Sequence, residues 1–177
     1  MPIKNMKSRS KARQPVAKIV CAKLKLELAV QYATSISDLL KEFPTRSQFR
    51  KWIKIALTLD ARITLRIVDE AEGRRLNQNF CGKDYATNVL AFSYNTSQPL
   101  FADIVLCASV IDKEAKQHCK SLVAHYAHLV IHGALHLQGY DHESDDNAKI
   151  MEQLETKTLK KLGYDDPYKE SQKQGEC

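Results

Sequence analysis

The sequence has no apolar run near the roughly 18 residues that a membrane-spanning helix needs. It has no acid at all in its first 25 residues, and no h-region follows that basic start. Lys18, Lys23, Lys25 and Glu27 interrupt each apolar stretch there, so no cleaved signal peptide is expected. It has no C-x-x-C pair, and its five cysteines (Cys21, Cys81, Cys107, Cys119 and Cys177) are an odd number. That argues against a disulfide scaffold and for a reducing, cytosolic compartment. It has no internal repeat and no low-complexity tract.

What is present is ordinary for a soluble globular chain: 177 residues, 44% apolar and 27% charged. One domain of this length buries about two-thirds of its unfolded surface. The charge is unevenly placed. Lys4, Lys7, Arg9, Lys11, Arg13, Lys18, Lys23 and Lys25 supply eight positive charges, which against a total of +6 leaves residues 26 to 177 at −2. Residues 1 to 17 read as a flexible basic arm. It suits a polyanion such as RNA as well as it suits a solvated extension that binds nothing.

The patterning predicts an α+β domain over residues 18–170, with 171–177 a disordered tail. Ile19 to Val30 alternates as a strand. Thr45 to Gln48 forms a capping box ahead of a helix over about 46–58. Alternation at Ile63, Leu65 and Ile67 gives a second strand, and a short helix covers 70–80. Gly82 to Asn88 is a polar loop. Strands follow at 89–94 and 101–107, around a turn holding Pro99. A buried helix capped by Ser121 runs to Gly139, and another runs from Ser144 to Gly163. The result is one mixed sheet of about four strands packed with about five helices.

The sharpest feature is His132-Gly133-Ala134-Leu135-His136-Leu137-Gln138-Gly139-Tyr140-Asp141-His142. His132 and His136 project from one helix face, one turn apart. A pair at that spacing also suits satisfied histidines of a core or helix surface. Gly139, however, can adopt positive φ and reverse the chain, returning His142 as a third ligand. Three neutral imidazoles suit one Zn²⁺ per chain and leave a fourth position open, the catalytic arrangement. The spacing is shared with metzincin proteases, which need a glutamate directly after the first histidine. Gly133 stands there and can accept no proton, which removes peptide hydrolysis. His128 lies on the same helical row, too far along the axis for one tetrahedral ion to hold it together with His132 and His136. It is read as a supporting or core group. His118 and His125 are read as structural or surface residues.

These residues resemble the YbeY family of bacterial single-strand-specific endoribonucleases and rRNA maturation factors. The resemblance rests on the histidine motif and spans roughly residues 18 to 170. Gly82-Lys83-Asp84 with Thr87-Asn88-Val89 supports it, as do Ala102-Asp103-Ile104 and Leu162-Gly163-Tyr164 before Asp166-Pro167-Tyr168. It implies a metalloprotease-like fold in which His132, His136 and His142 hold Zn²⁺ in a cleft beside the sheet. It implies cleavage of RNA phosphodiester bonds in 3′-end maturation of small-subunit (16S) rRNA and in ribosome quality control. The implied partners are rRNA, the small ribosomal subunit and its proteins, and an assembly GTPase, with no membrane and no nucleotide cofactor.

One departure matters. The family pattern has arginine directly before Gly-Lys-Asp, where this chain has Cys81; a milder one is Ala102 in place of glycine. Arginine offers a permanent planar charge matched to phosphate, which a thiol lacks. Four readings of Cys81 follow. Lys83 takes over phosphate stabilisation, Cys81 closes the metal site as a fourth ligand, catalysis is weak and the protein acts mainly in assembly, or Cys81 is a buried loop residue. Lys83, with Arg75 as a further cation, and Asp103 are the candidate catalytic residues beyond the metal. Asp103 would position Lys83 or a ligand, or make a plain strand-end hydrogen bond. Asp141 would orient a ligand histidine or cap the following turn. Thr87 and Asn88 are turn-formers first and RNA contacts second.

Overall fold

A computed structural model describes residues 24–39 and 43–169. The arm assigned to 1–17 and the tail assigned to 171–177 lie outside the described residues. The described chain is α+β, with a four-stranded mixed sheet and five α-helices, as the patterning predicts. None of its helices is long and apolar enough to cross a membrane.

Strand β1 (Leu26–Tyr32) pairs in parallel with β2 (Ala61–Val68), and β2 pairs in parallel with β4 (Leu100–Cys107). Strand β3 (Val89–Ser93) is antiparallel to β4 and forms the edge, giving the order β1-β2-β4-β3. Of the first predicted strand, residues 19–23 lie outside the described residues, and β1 runs two residues past Val30. Between β1 and β2 come a 3₁₀ turn, Thr34–Leu39, and helix α1 (Arg46–Ala56). The capping box at Thr45 and Gln48 is present.

The sheet alternates cleanly. Ile63, Leu65, Ile67, Ile104 and Leu106 point to one face and are buried under α1 and α4 (Leu122–His136), together with Phe49, Trp52 and Tyr126. Each such side chain contributes about 1.5–3 kcal/mol when fully buried. On the opposite face α2 (Glu70–Cys81) covers Val68, Val105 and Cys107. Helix α3 (Ala108–Gln117) follows β4 directly, and α5 (Asp145–Lys161) packs on α4. Gly133 is where α4 rests on the sheet: a Cβ built there would lie 3.4 Å from Val89 and 3.5 Å from Ile104. The position that would hold a protease's glutamate is therefore a packing contact.

Candidate metal centre

Helix α4 starts where the Ser121 Oγ accepts the Ala124 N–H at 3.1 Å. It ends at His136 because Gly139 turns the chain with φ +87. The Gly139 N–H donates to the His136 carbonyl at 3.0 Å and the Tyr140 N–H to the Leu135 carbonyl at 3.3 Å. A residue with a Cβ would be strained there, by about 1–2 kcal/mol. Gln138 fastens this turn to the end of α1. Its Oε1 accepts from the Thr58 N–H at 2.9 Å and hydroxyl at 2.8 Å, and its Nε2 donates to the Ala56 and Ala134 carbonyls, both at 2.9 Å. The helix stops two to three residues before the predicted end, and those residues build the turn instead.

The turn brings three rings together. The centroids of His132 and His136 are 4.5 Å apart, and that of His142 lies 5.7 Å from the first and 5.0 Å from the second. One donor atom from each ring lies within 4.8 Å of the others.

The hydrogen bonds behind the rings decide what the donors offer. His136 Nδ1 lies 2.9 Å from the Tyr140 carbonyl, which can only accept, so Nδ1 carries the proton. His132 Nδ1 lies 2.8 Å from Glu155 Oε1. Glu155 is fully buried, which taken alone would raise its pKa. Hydrogen bonds from His128, His132 and Tyr168 outweigh that and lower it to about 2. The carboxylate is therefore an acceptor, and His132 Nδ1 is a donor as well. In the Nδ1–H tautomer of each ring Nε2 is a bare lone pair, and the two Nε2 atoms face each other at 3.0 Å. Two lone pairs that close repel, and a shared cation removes the conflict. Burial and then the adjacent His132 lower the pKa of His136, which keeps it in the neutral, ligating form. The donor set fits a divalent metal held by imidazole nitrogen.

Glu155 was not among the residues expected from the sequence. Its signal is its place in the buried stripe of α5, four residues after Met151 and four before Leu159. Its other oxygen accepts from His128 Nε2 at 2.8 Å and from the Tyr168 hydroxyl. His128 thus reaches the centre through Glu155. His125 is buried and bonds Glu114 at 2.8 Å. Glu114 also receives the Asn88 side-chain amide, at 3.1 Å to each oxygen. Asn88 therefore ties the start of β3 to α3.

The loop after α2 is built differently. Gly82, with φ +70, ends α2, and Asp84 is gripped by Arg74 in a fork of two 2.7 Å bonds. Lys83 and Arg75 are exposed, and among the described residues no hydrogen bond or ion pair joins either to the histidines. Cys81 is exposed, which removes the reading of a buried loop cysteine. It belongs to neither group of converging donors, His132/His136/His142 or His128/His132/Glu155, so it does not close the metal site. Asp141 accepts from the Glu143 N–H at 3.1 Å and the Asn147 side chain at 2.9 Å; it holds the turn before α5, and among the described residues it makes no hydrogen bond to a histidine. Asp103 is not brought to the histidines. Its neighbour Ile104 faces α4, so Asp103 points to the opposite sheet face, where it accepts from the Tyr94 hydroxyl at 2.6 Å.

Comparison with known proteins matches this architecture to a family. The family model described as endoribonuclease YbeY matches residues 21–173. A protein of that name from Nitrosospira multiformis is 55% identical over 158 residues, covering 81% of this chain and 82% of its own length. One from Nitrosomonas eutropha is 55% identical over 141 residues, covering 80% and 97%. A solution structure from Thermotoga maritima superposes with a TM-score of 0.54 at 27% identity, over 80% of this chain and 99% of that one.

Proposed function

This chain belongs to the YbeY endoribonuclease family, and from that premise we propose that it is a zinc-dependent, single-strand-specific endoribonuclease. Its biological role on this reading is 3′-end maturation of small-subunit rRNA and ribosome quality control in the cytoplasm. Its partners are the small subunit, ribosomal proteins and an assembly GTPase. The observation that carries the reading is the fixed pair of tautomers. Glu155 and the Tyr140 carbonyl each hold a proton on Nδ1, so that two bare Nε2 atoms converge beside His142. His132, His136 and His142 would hold the metal, and a bound Zn²⁺ supplies Lewis acidity toward a phosphoryl oxygen.

The remaining chemistry belongs to the chain. Glu155 keeps His132 in its ligating tautomer and offsets charge gathered on that ring. Gln138 fixes the turn that carries His142 relative to α4. On this reading the exposed Lys83 supplies a positive charge toward the phosphate, without the planar fork of an arginine.

A second reading has its own observation. Cys81 is exposed and uncharged where the family pattern has arginine, which favours a ribosome-assembly factor with weak catalysis. Zinc-loaded wild-type, His136→Ala and Cys81→Arg proteins, incubated with single-stranded rRNA, separate the two. Cleavage by the wild type that His136→Ala abolishes supports the nuclease. A sharp gain in cleavage by Cys81→Arg at unchanged RNA affinity supports the assembly factor. Equal cleavage by wild type and His136→Ala contradicts the metal mechanism.

A further inference from the structure

Helix α2 covers only one end of its sheet face. It packs through Leu76 onto Val68, Val105 and Cys107. Among the described residues no helix covers the other end. The outermost row there runs Glu27, Arg62, Phe101, Tyr94, set by strand register and by the Tyr94 N–H donating to the Phe101 carbonyl at 2.8 Å. The next row sets Asp103 opposite Phe92. Phe80, from the last turn of α2, contacts Phe92 with ring centroids 5.0 Å apart. Phe80 and Tyr94 are each 66% exposed and Phe101 is 37% exposed. Three large rings left in water on one face mark a contact surface. Their backbone is well held. Asn95 closes the β3–β4 turn by accepting the Phe101 N–H at 2.7 Å and donating to the Pro99 carbonyl at 2.9 Å.

The polar groups on this face choose the occupant. Phe80, Phe92, Tyr94 and Asp103 border a cavity of about 610 Å³. One Asp103 oxygen accepts from the Tyr94 hydroxyl, and the other has no hydrogen-bond partner among the described residues. The Arg62 guanidinium lies 5.4 Å from the Phe101 ring centre and is paired with Glu27 at 2.6 Å, an exposed ion pair of the kind that contributes little and that a phosphate can displace. A ligand that matches has a flat face for the rings, N–H donors on its edge for the carboxylate, and a negative backbone that competes with Glu27 for the rim arginine. An unpaired nucleobase on its strand has all three. Exposed aromatics on a four-stranded sheet are a general surface for single-stranded RNA.

We infer that this face is a platform for single-stranded RNA, with bases stacked on Phe80, Tyr94 and Phe101 and Asp103 accepting from a base edge. The inference rests on the RNA-cleaving reading and adds to it a grip on RNA separate from the histidines, which lie on the other side of the sheet. Asp103 then sets a preference. A carboxylate accepts well from the amino group of cytosine, whereas uracil presents a carbonyl at that position.

The test is fluorescence anisotropy of zinc-loaded full-length protein with labelled 2′-O-methyl oligocytidine and oligouridine. Tyr94→Ala and Phe101→Ala should each weaken oligocytidine binding about fivefold or more, and adding Phe80→Ala about a hundredfold in all. Tyr94→Phe should keep the affinity, since it keeps the ring. Asp103→Asn should erase the preference for cytosine. Ile55→Ala, exposed on α1, should change nothing. A triple alanine variant that keeps its circular dichroism spectrum and binds RNA as tightly as the parent overturns the platform. It does so even if that variant loses a protein partner. If such a parent still cleaves RNA, the nuclease reading survives the loss; a parent that neither binds nor cleaves RNA removes both.

Discussion

Two regions of the molecule, the histidine centre and the loop after α2, are built by opposite rules. On the α4–α5 side, His132 and His136 are backed by an acceptor that fixes the tautomer, and the carboxylate behind His132 is fully buried. On the Cys81–Asn88 side, the charged side chain Lys83 is exposed, and the loop is held by its neighbours: Arg74 on Asp84, and Asn77, whose amide donates to the Tyr85 carbonyl at 2.8 Å. The histidine centre is preorganised for a cation before any substrate arrives. The loop carries an exposed lysine and an exposed thiol. Metal binding and phosphate handling are thus separate properties of this chain, and mutations should separate them.

The largest effect is expected at the histidine centre. His136→Ala removes one of three ligands and should abolish stoichiometric zinc binding, with cleavage falling by about a thousandfold or more. Metal analysis after dialysis and a cleavage assay read the two losses together. If zinc binding survives intact, the comparison is broken.

Glu155→Gln comes next. It leaves the three ligands in place but replaces a carboxylate that accepts three hydrogen bonds. Zinc affinity should fall by about 10- to 100-fold in competition titrations. The same variant carries a pH signature. The pKa of Glu155 is lowered from 4.5 to about 2 in the fold, so its stabilisation is fully present above the unfolded value and is lost as pH falls toward the folded one. The wild type's stability advantage over Glu155→Gln should therefore shrink as pH falls from about 5 toward 2. Urea melts across that range measure it, and a constant difference would contradict the assignment.

In the loop, Cys81→Arg should leave zinc affinity unchanged and cleavage within about threefold of the wild type, since Lys83 already supplies the charge; a gain of about tenfold or more would favour the assembly-factor reading. A drop in zinc affinity would mean that Cys81 touches the metal after all. The smallest change tests the turn that carries the third histidine. Gln138→Ala strips four hydrogen bonds from the turn and should cost about 1–3 kcal/mol of stability, read by thermal or chemical unfolding.

Much of this was legible in the sequence, and the reasons differ by element. Strands β2 and β4 show period-two alternation because one face of each packs under α1 and α4. The capping box at Thr45 announces α1 because it is a local interaction. The histidine motif was legible because a helix turn and a glycine reversal are both local geometry. What escaped notice depends on distant packing. Helix α3 begins at Ala108 with no side-chain cap, directly after a strand, so nothing local marks its start; only Ala108, Ile111 and Ala115 at helical spacing signal it. Glu155 lies nineteen positions beyond His136 in the chain and gains its meaning only when α5 packs on α4. Asp103 looked catalytic because its strand was expected to border the loop, but alternation along β4 turns it to the face away from the histidines.

The central claim is that His132 and His136 are held as Nδ1–H tautomers whose Nε2 atoms share a metal ion. Long-range ¹H–¹⁵N correlation spectra of histidine-labelled protein, with and without one equivalent of Zn²⁺, observe this directly. The account predicts protonated Nδ1 in both rings throughout, and on zinc addition a shift of Nε2 in each together with one nitrogen of His142. Nε2–H tautomers in the metal-free protein, or rings that ignore zinc, would contradict it.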